Sequence, residues 1–202
     1  MKLTLIPPIL TGLFLLISIN TTQAGDLSYN YIEGGANHYL GDNSNTSSFK
    51  LDGSIDITED FNLIAGLESG SMDVENIDIK INQYKLGAGM HKPVRSNMDF
   101  ITEMALINAT LSNSSWYNRT ENAVMAGAGF RQRITDKLEG HAKINVYKIL
   151  DSESDFEDNL GTEFIFGGRL HINEQLSGGL DYTQPDSGSD GILTTSIRFQ
   201  SL

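Results

Sequence analysis

From residue 49 to residue 199, apolar side chains recur at every second position, and the recurrence breaks at regular intervals. A period of two belongs to a β-strand with two unlike faces; a helix repeats every ~3.6 residues. Four windows share one pattern, an apolar residue, three polar ones and another apolar residue. They run from Ile57 to Phe61, Val94 to Met98, Ile134 to Leu138 and Ile172 to Leu176, and start 37, 40 and 38 residues apart. Polar residues between alternating segments predict tight strand connections. Midway between them lie longer polar stretches, at 40–46, 70–78, 111–120, 149–159 and 184–190. Four tight turns and five longer loops predict five hairpins, hence ten antiparallel strands in a meander.

The two faces differ in kind. One carries Phe49, Leu51, Ile55, Phe61, Leu63, Leu67, Tyr84, Leu86, Met104, Leu106, Val124, Phe130, Ile144, Val146, Phe164, Leu170, Leu180, Ile197 and Phe199 without a single charge. The other carries Lys50, Lys85, Arg131, Arg133, Lys143, Arg169 and Arg198 against Asp52, Asp56, Glu68, Asp99, Glu103, Glu139, Glu163 and Asp181. The first strand, around Leu27 to Tyr39, is ambiguous, because Glu33 shares a parity with Tyr29 and Tyr31; a bulge would resolve it.

Alternation alone fits a soluble barrel or sandwich with its apolar face inward, and a membrane barrel with that face outward. Three features favour the membrane. Met1-Lys2, the apolar run Ile9 to Ile19 and the small-x-small site Thr22-Gln23-Ala24 make residues 1–24 a cleaved signal peptide, leaving 25–202 as one barrel domain. The apolar face holds many Gly and Ala, too thin for a soluble core. Aromatics (Phe49, Phe61, Phe100, Phe130, Tyr182, Phe199) fall near strand ends, as in interfacial girdles. The expected fold is all-β: a ten-stranded antiparallel transmembrane β-barrel with both termini in the periplasm. Ten strands ~4.8 Å apart and tilted ~40° give a backbone radius of roughly 10 Å. The near-balanced interior charges then act as a self-neutralising plug.

Composition removes other classes. A net charge of −12 excludes nucleic acid as a partner, and the absence of Cys excludes disulfides, thiolate metal sites and a lipidated N-terminus.

Three stretches are more specific: Tyr29-Asn-Tyr-Ile-Glu-Gly-Gly35, Gln83-Tyr-Lys-Leu-Gly-Ala-Gly89 and Lys137-Leu-Glu-Gly-His-Ala142. With the turn spacing, the chain resembles the small gammaproteobacterial outer-membrane barrels of the diffusible-signal-regulated group, in the broad opacity/OmpX-like class. The resemblance implies a location in the bacterial outer membrane among lipid and lipopolysaccharide, and biogenesis through the barrel-assembly machinery. It departs from the class at the C-terminus. Such barrels commonly end on Phe or Trp, whereas here Phe199 is followed by Gln200-Ser201-Leu202.

Catalytic signals are weak. Ten-stranded outer-membrane proteases use paired Asp and an Asp-x-His at the extracellular rim; here Glu139-Gly-His141 begins strand seven, at the opposite rim. His91 and His171 also sit beside tight turns, and His38 lies alone near the first outer loop. There is no His-x-Ser, G-x-S-x-G, H-E-x-x-H or phosphate loop. The outer loops are acidic. Asp151, Glu153, Asp155, Glu157 and Asp158 lie in one, Asp73, Glu75 and Asp78 in another. They suit weak Ca²⁺ or Mg²⁺ attraction more than a built site, since the Gly and terminal Glu of an EF-hand are missing. Trp116 and Tyr117 fit a contact anchor for a partner or, better, an anchor at the lipid interface. With Asp42, Glu121, Asp186 and Asp190 against Lys80, Arg119 and Lys148, the loops carry about −9. No resident cofactor is implied. The expected function is non-enzymatic, in envelope integrity or surface interaction, with a narrow channel for ions or very small solutes as the alternative. The sequence names no extracellular partner.

Overall fold

The computed structural model describes residues 27–40, 47–74, 77–113, 118–150, 160–186 and 191–201. The signal segment, the acidic run 151–158, Glu75, Trp116, Tyr117, Asp42 and Asp190 lie outside them, as do the side chains of Asp73 and Asp78.

Ten strands follow one another: β1 (Tyr31–Tyr39), β2 (Ser47–Asp56), β3 (Phe61–Val74), β4 (Ile77–Arg95), β5 (Met98–Ser112), β6 (Asn118–Arg133), β7 (Leu138–Ile149), β8 (Leu160–His171), β9 (Leu176–Pro185) and β10 (Ile192–Gln200). Each pairs antiparallel with its sequence neighbours, and β10 closes on β1, Gln200 opposite Tyr31 and Ile192 opposite Tyr39. Closure removes both sheet edges, the one arrangement in which strands satisfy every backbone group without water.

Three of the four tight turns are built alike. The amides of Ile57 and Thr58 donate to the Phe61 carbonyl at 2.8 and 3.2 Å, and the Phe61 amide donates to Thr58 Oγ1 at 3.1 Å. Thr135 and Asn173 repeat this at Ile134–Leu138 and Ile172–Leu176. A short oxygen-bearing side chain in second place makes the turn. The window Val94–Met98 has Arg95 in that place, which offers no acceptor. There the strands run on to Arg95 and Met98 around a register shift between Pro93 and Arg95, and Ser96-Asn97 form the turn.

The apolar face points outward. Leu86, Met104, Leu106, Ile197 and Phe199 are all more than half exposed, and the sequence parity holds on all nine strands it assigned. Among the described residues, the buried hydrophobics are Tyr29, Ile64, Ala105, Ile107 and Met125, whereas fifteen buried residues are polar or charged. This inverts a soluble core and matches a wall solvated by lipid. β1 needs no bulge. It pairs in continuous register on both sides, with Tyr29, Tyr31, Glu33, Asn37 and Tyr39 inward and Ile32 outward. The tyrosines follow Glu33 inward because their rings pack on interior cations: the Arg198 guanidinium lies 3.7 Å from the Tyr31 ring centroid.

The wall is uneven. β3 to β6 have 14, 19, 15 and 16 residues, while β1, β2, β9 and β10 have 9 or 10. Of the stretches 70–78 and 111–120, expected as loops, residues 70–74, 77–78, 111–112 and 118–120 are strand; 75–76 and 113–117 stand between paired strands. The reason lies in a reversal of polarity. On β5 the outward face is apolar from Met98 to Leu106 apart from Thr102, about 20 Å of height at a ~40° tilt. That is close to the ~25 Å apolar band of a membrane barrel. Beyond it the outward residues are Asn108, Thr110 and Ser112, and cross-strand hydrogen bonds join Asn108 to Asn122, Thr110 to Thr120 and Ser69 to Asn82. Above the lipid the same strands present a polar outer face. Arg119 and Glu121, expected as loop charges, sit on β6 with inward parity and pair with each other at 2.6 Å.

Leu63→Arg, which turns a guanidinium into the band, should lower stability by about 2–4 kcal/mol, read from denaturant unfolding in lipid vesicles. Ser54→Arg, which parity alone would make the cheap control, is not one. Ser54 is buried and accepts a 2.8 Å hydrogen bond from Asn62. Gln83→Arg is the proper control, because Gln83 opens onto the interior cavity beside Glu68, and it should change stability by less than about 1 kcal/mol.

Candidate functional site

The interior is the one place where the described side chains gather chemistry, and it forms three tiers. At the turn end the packing is dense. Arg131 donates from Nε and Nη2 to the two oxygens of Glu139 at 2.6 and 3.0 Å, and His171 meets the same carboxylate at 3.3 Å. Beside them, Glu33 Oε2 accepts from Arg169 at 2.6 Å and from Arg198 at 2.7 Å. Glu139 and Arg169 are each only 1% exposed. Burial at that depth is tolerated only for charges with full partners.

The chain ahead of β1 completes this tier. Tyr29 folds into the mouth, donates to Asp99 at 2.8 Å and stacks on His91 with ring centroids 3.7 Å apart. Arg131 covers the Tyr29 ring at 4.8 Å and donates to the Ser28 carbonyl at 2.7 Å. Asn30 donates to Asp56, which in turn meets His91 at 3.4 Å.

The middle tier is a set of ion pairs along the inner wall, within one strand or between strands separated by one other. Asp52 lies between Lys85 at 3.1 Å and Lys50 at 3.5 Å, Lys143 donates to Glu103 at 2.8 Å, and His141 meets Asp181 at 3.3 Å. Small inward residues make room for it. A Cβ on Gly167 would collide with Asp181 and His141 together, so glycine there is a condition of the pair.

The loop-end tier is different. Glu68 accepts from Asn37 at 2.8 Å, from Tyr39 and from the Ser48 hydroxyl; Glu163 accepts from Asn145 at 2.7 Å and from the Tyr147 hydroxyl. Among the described residues neither carboxylate has an ion-pair partner. A cavity of about 430 Å³ runs beside all three tiers.

These contacts place each of the interior residues singled out in the sequence. Lys50, Asp52, Lys85, Glu103, Lys143 and Asp181 share the middle tier, Arg131, Arg169 and Arg198 the turn end, and Glu68 and Glu163 the loop end. Glu139 and His141 face the same interior but serve different partners, so they form no dyad. His38 is exposed on the outer face of β1. Sequence reasoning missed Glu33, Tyr29 and the Asn-x-Tyr pairs Asn37/Tyr39 and Asn145/Tyr147. Inward parity would have found all of them once tyrosine was read as a polar residue. Among the described residues no three His, Asp or Glu side chains converge as metal ligands.

No family model matches this chain, and no curated protein matches it. Among solved structures, the NanC porin superposes with a TM-score of 0.52 at 10% identity, covering 85% of this chain and 99% of that one. The translocator domain of the autotransporter NalP from Neisseria meningitidis gives 0.47 at 10% identity, over 96% of each chain. The KdgM porin gives 0.46 at 5% identity, over 85% and 99%. At such identity the first likeness establishes the fold alone, that of an outer-membrane-type barrel; the other two, below 0.5, add nothing to it.

Removing one partner of a buried pair strands the other. Arg131→Ala, which leaves Glu139 with His171 alone, should cost about 3–5 kcal/mol in denaturant unfolding. Lys85→Ala should cost less, because Asp52 keeps Lys50 and both groups are about a fifth exposed.

Proposed function

We propose that this chain is a non-enzymatic barrel of the bacterial outer membrane, closed at its periplasmic end, that acts at the cell surface rather than as a conduit. Short turns of membrane barrels face the periplasm and long connections face outward. That convention puts the tier of Arg131, Glu139, Glu33 and Arg169 at the periplasmic mouth. The single observation that carries the reading is the depth of burial there: a path for solutes cannot run through an arginine and a glutamate that are 1% exposed and bonded to each other's neighbours. A conducting pore more often carries an open ring of one sign. The polar lip of β3 to β6 and the acidic connections then form the outward surface, where weak attraction of divalent cations bridging to lipopolysaccharide phosphates is the expected partner chemistry. The resemblance to the diffusible-signal-regulated barrels supports the same placement.

Full-length mature protein in planar bilayers should give no discrete conductance steps. Arg131→Ala with Arg169→Ala should introduce an irregular leak, provided that a heat-dependent mobility shift shows the barrel closed. Well-resolved, ion-selective channels from the wild type would sink the closed-barrel reading and put the channel in its place.

A further inference from the structure

We propose that the loop-end half of the lumen binds a small organic cation with an apolar body. This goes beyond the closed-barrel reading and does not depend on it, because the site lies at the other end of the lumen from the turn-end seal.

Charge provides the first ground. With Glu33, Arg119 and Glu121 added to the interior, eight bases face ten acids, leaving two negative charges in excess. Glu68 and Glu163, like Asp99 at the turn end, have no ion-pair partner among the described residues, and they are the two such interior carboxylates at the loop end. Each is held by an Asn-x-Tyr pair, Asn37/Tyr39 on β1 and Asn145/Tyr147 on β7. Neutral donors orient a carboxylate without cancelling its charge. Tyr39, Glu68 and Glu163 line one and the same cavity.

The second ground is independent of charge. Ile64, Ala105, Ile107 and Met125 form a buried apolar cluster on the inner wall, and Tyr147 packs against it. Lipid does not reach this face, and Ile101, Ile165 and Ile192 add further apolar surface to the lining of the cavity. Tyr147 therefore touches an apolar patch with its ring and a carboxylate with its hydroxyl. Ile64, Ile107 and Met125 line the same cavity as Glu68 and Glu163. The cavity, about 430 Å³ over all three tiers, is on the scale of small-ligand sites, and these residues line its loop-end part.

Together these features select a ligand. An anion is repelled by both carboxylates. A neutral apolar solute leaves them uncompensated. A hard dication seeks six or more oxygens, mostly carboxylate and carbonyl, and finds no converging set among the described residues. An ammonium on an aliphatic or aromatic body satisfies both halves, with the Tyr39 and Tyr147 rings as further partners for its charge.

The test uses full-length mature barrel in a neutral detergent, titrated calorimetrically with 2-phenylethylammonium, its neutral isostere 2-phenylethanol, anionic 3-phenylpropionate and methylammonium. We expect 2-phenylethylammonium to bind at least about tenfold more tightly than each of the others. In Glu68→Gln/Glu163→Gln that preference should vanish while the heat-dependent mobility shift persists. Equal binding of the cation and the alcohol overturns the role of the carboxylates. Equal binding of methylammonium overturns the role of the apolar wall. Loss of the preference in neither folded single variant nor the double overturns the location. Should the double variant fail to fold, E68Q and E163Q singly and the wild-type ligand series still decide.

Discussion

Glu33 stands at the seam where the last strand meets the first, and two guanidiniums reach its carboxylate from different directions, Arg198 from β10 beside it and Arg169 from β8. Backbone pairing alone leaves a meander free to slide in register; one buried carboxylate shared by two cations does not. In a medium of low dielectric, each of these groups is tolerable only with the others in place. The outward wall places no such demand, since any apolar side chain satisfies lipid. Specificity for this closed form therefore resides in the interior charges, while the exterior supplies only compatibility with the bilayer.

How much of this the sequence discloses depends on what sets each feature. Strand parity is local, and Leu63, Met104 or Ile197 reveal their face through their immediate neighbours. Where an environment changes along a strand, local rules mislead. Ser71, Ser112 and Thr120 fall in stretches that read as loops because polarity usually marks loops, yet here it marks the height at which lipid gives way to water. β1 was ambiguous because tyrosine serves lipid interfaces and polar interiors equally well; only the stacking of Arg198 on Tyr31 decides it. The turn at Ser96-Asn97 differs from its three counterparts through one residue, Arg95, where the others have Thr or Asn. The interior residues were legible as a set. Their partners were not, since the pairing of Glu33 with Arg169 spans 136 positions and depends on curvature rather than spacing.

The three tiers also show a gradient. Toward the turns, charges are doubly bonded and dry; in the middle they are paired and about a fifth exposed; toward the loops, carboxylates meet only neutral donors. The glycines at 66 and 167 belong to the same design, because an ion pair between two strands separated by a third lies directly over that third strand, which must carry no Cβ there. Stability and accessibility are thus divided along the axis instead of competing at one level.

The insertion of Tyr29 ties together parts of the barrel that the backbone ladder leaves apart. Its pocket is made by Asp99 of β5, His91 of β4 and Arg131 of β6, and the adjoining backbone is held by Ser201, whose amide donates to the Asn30 carbonyl at 3.0 Å. One aromatic side chain thus links the closing seam to three strands on the far side of the strand order, a cross-brace that pairing between neighbouring strands does not supply.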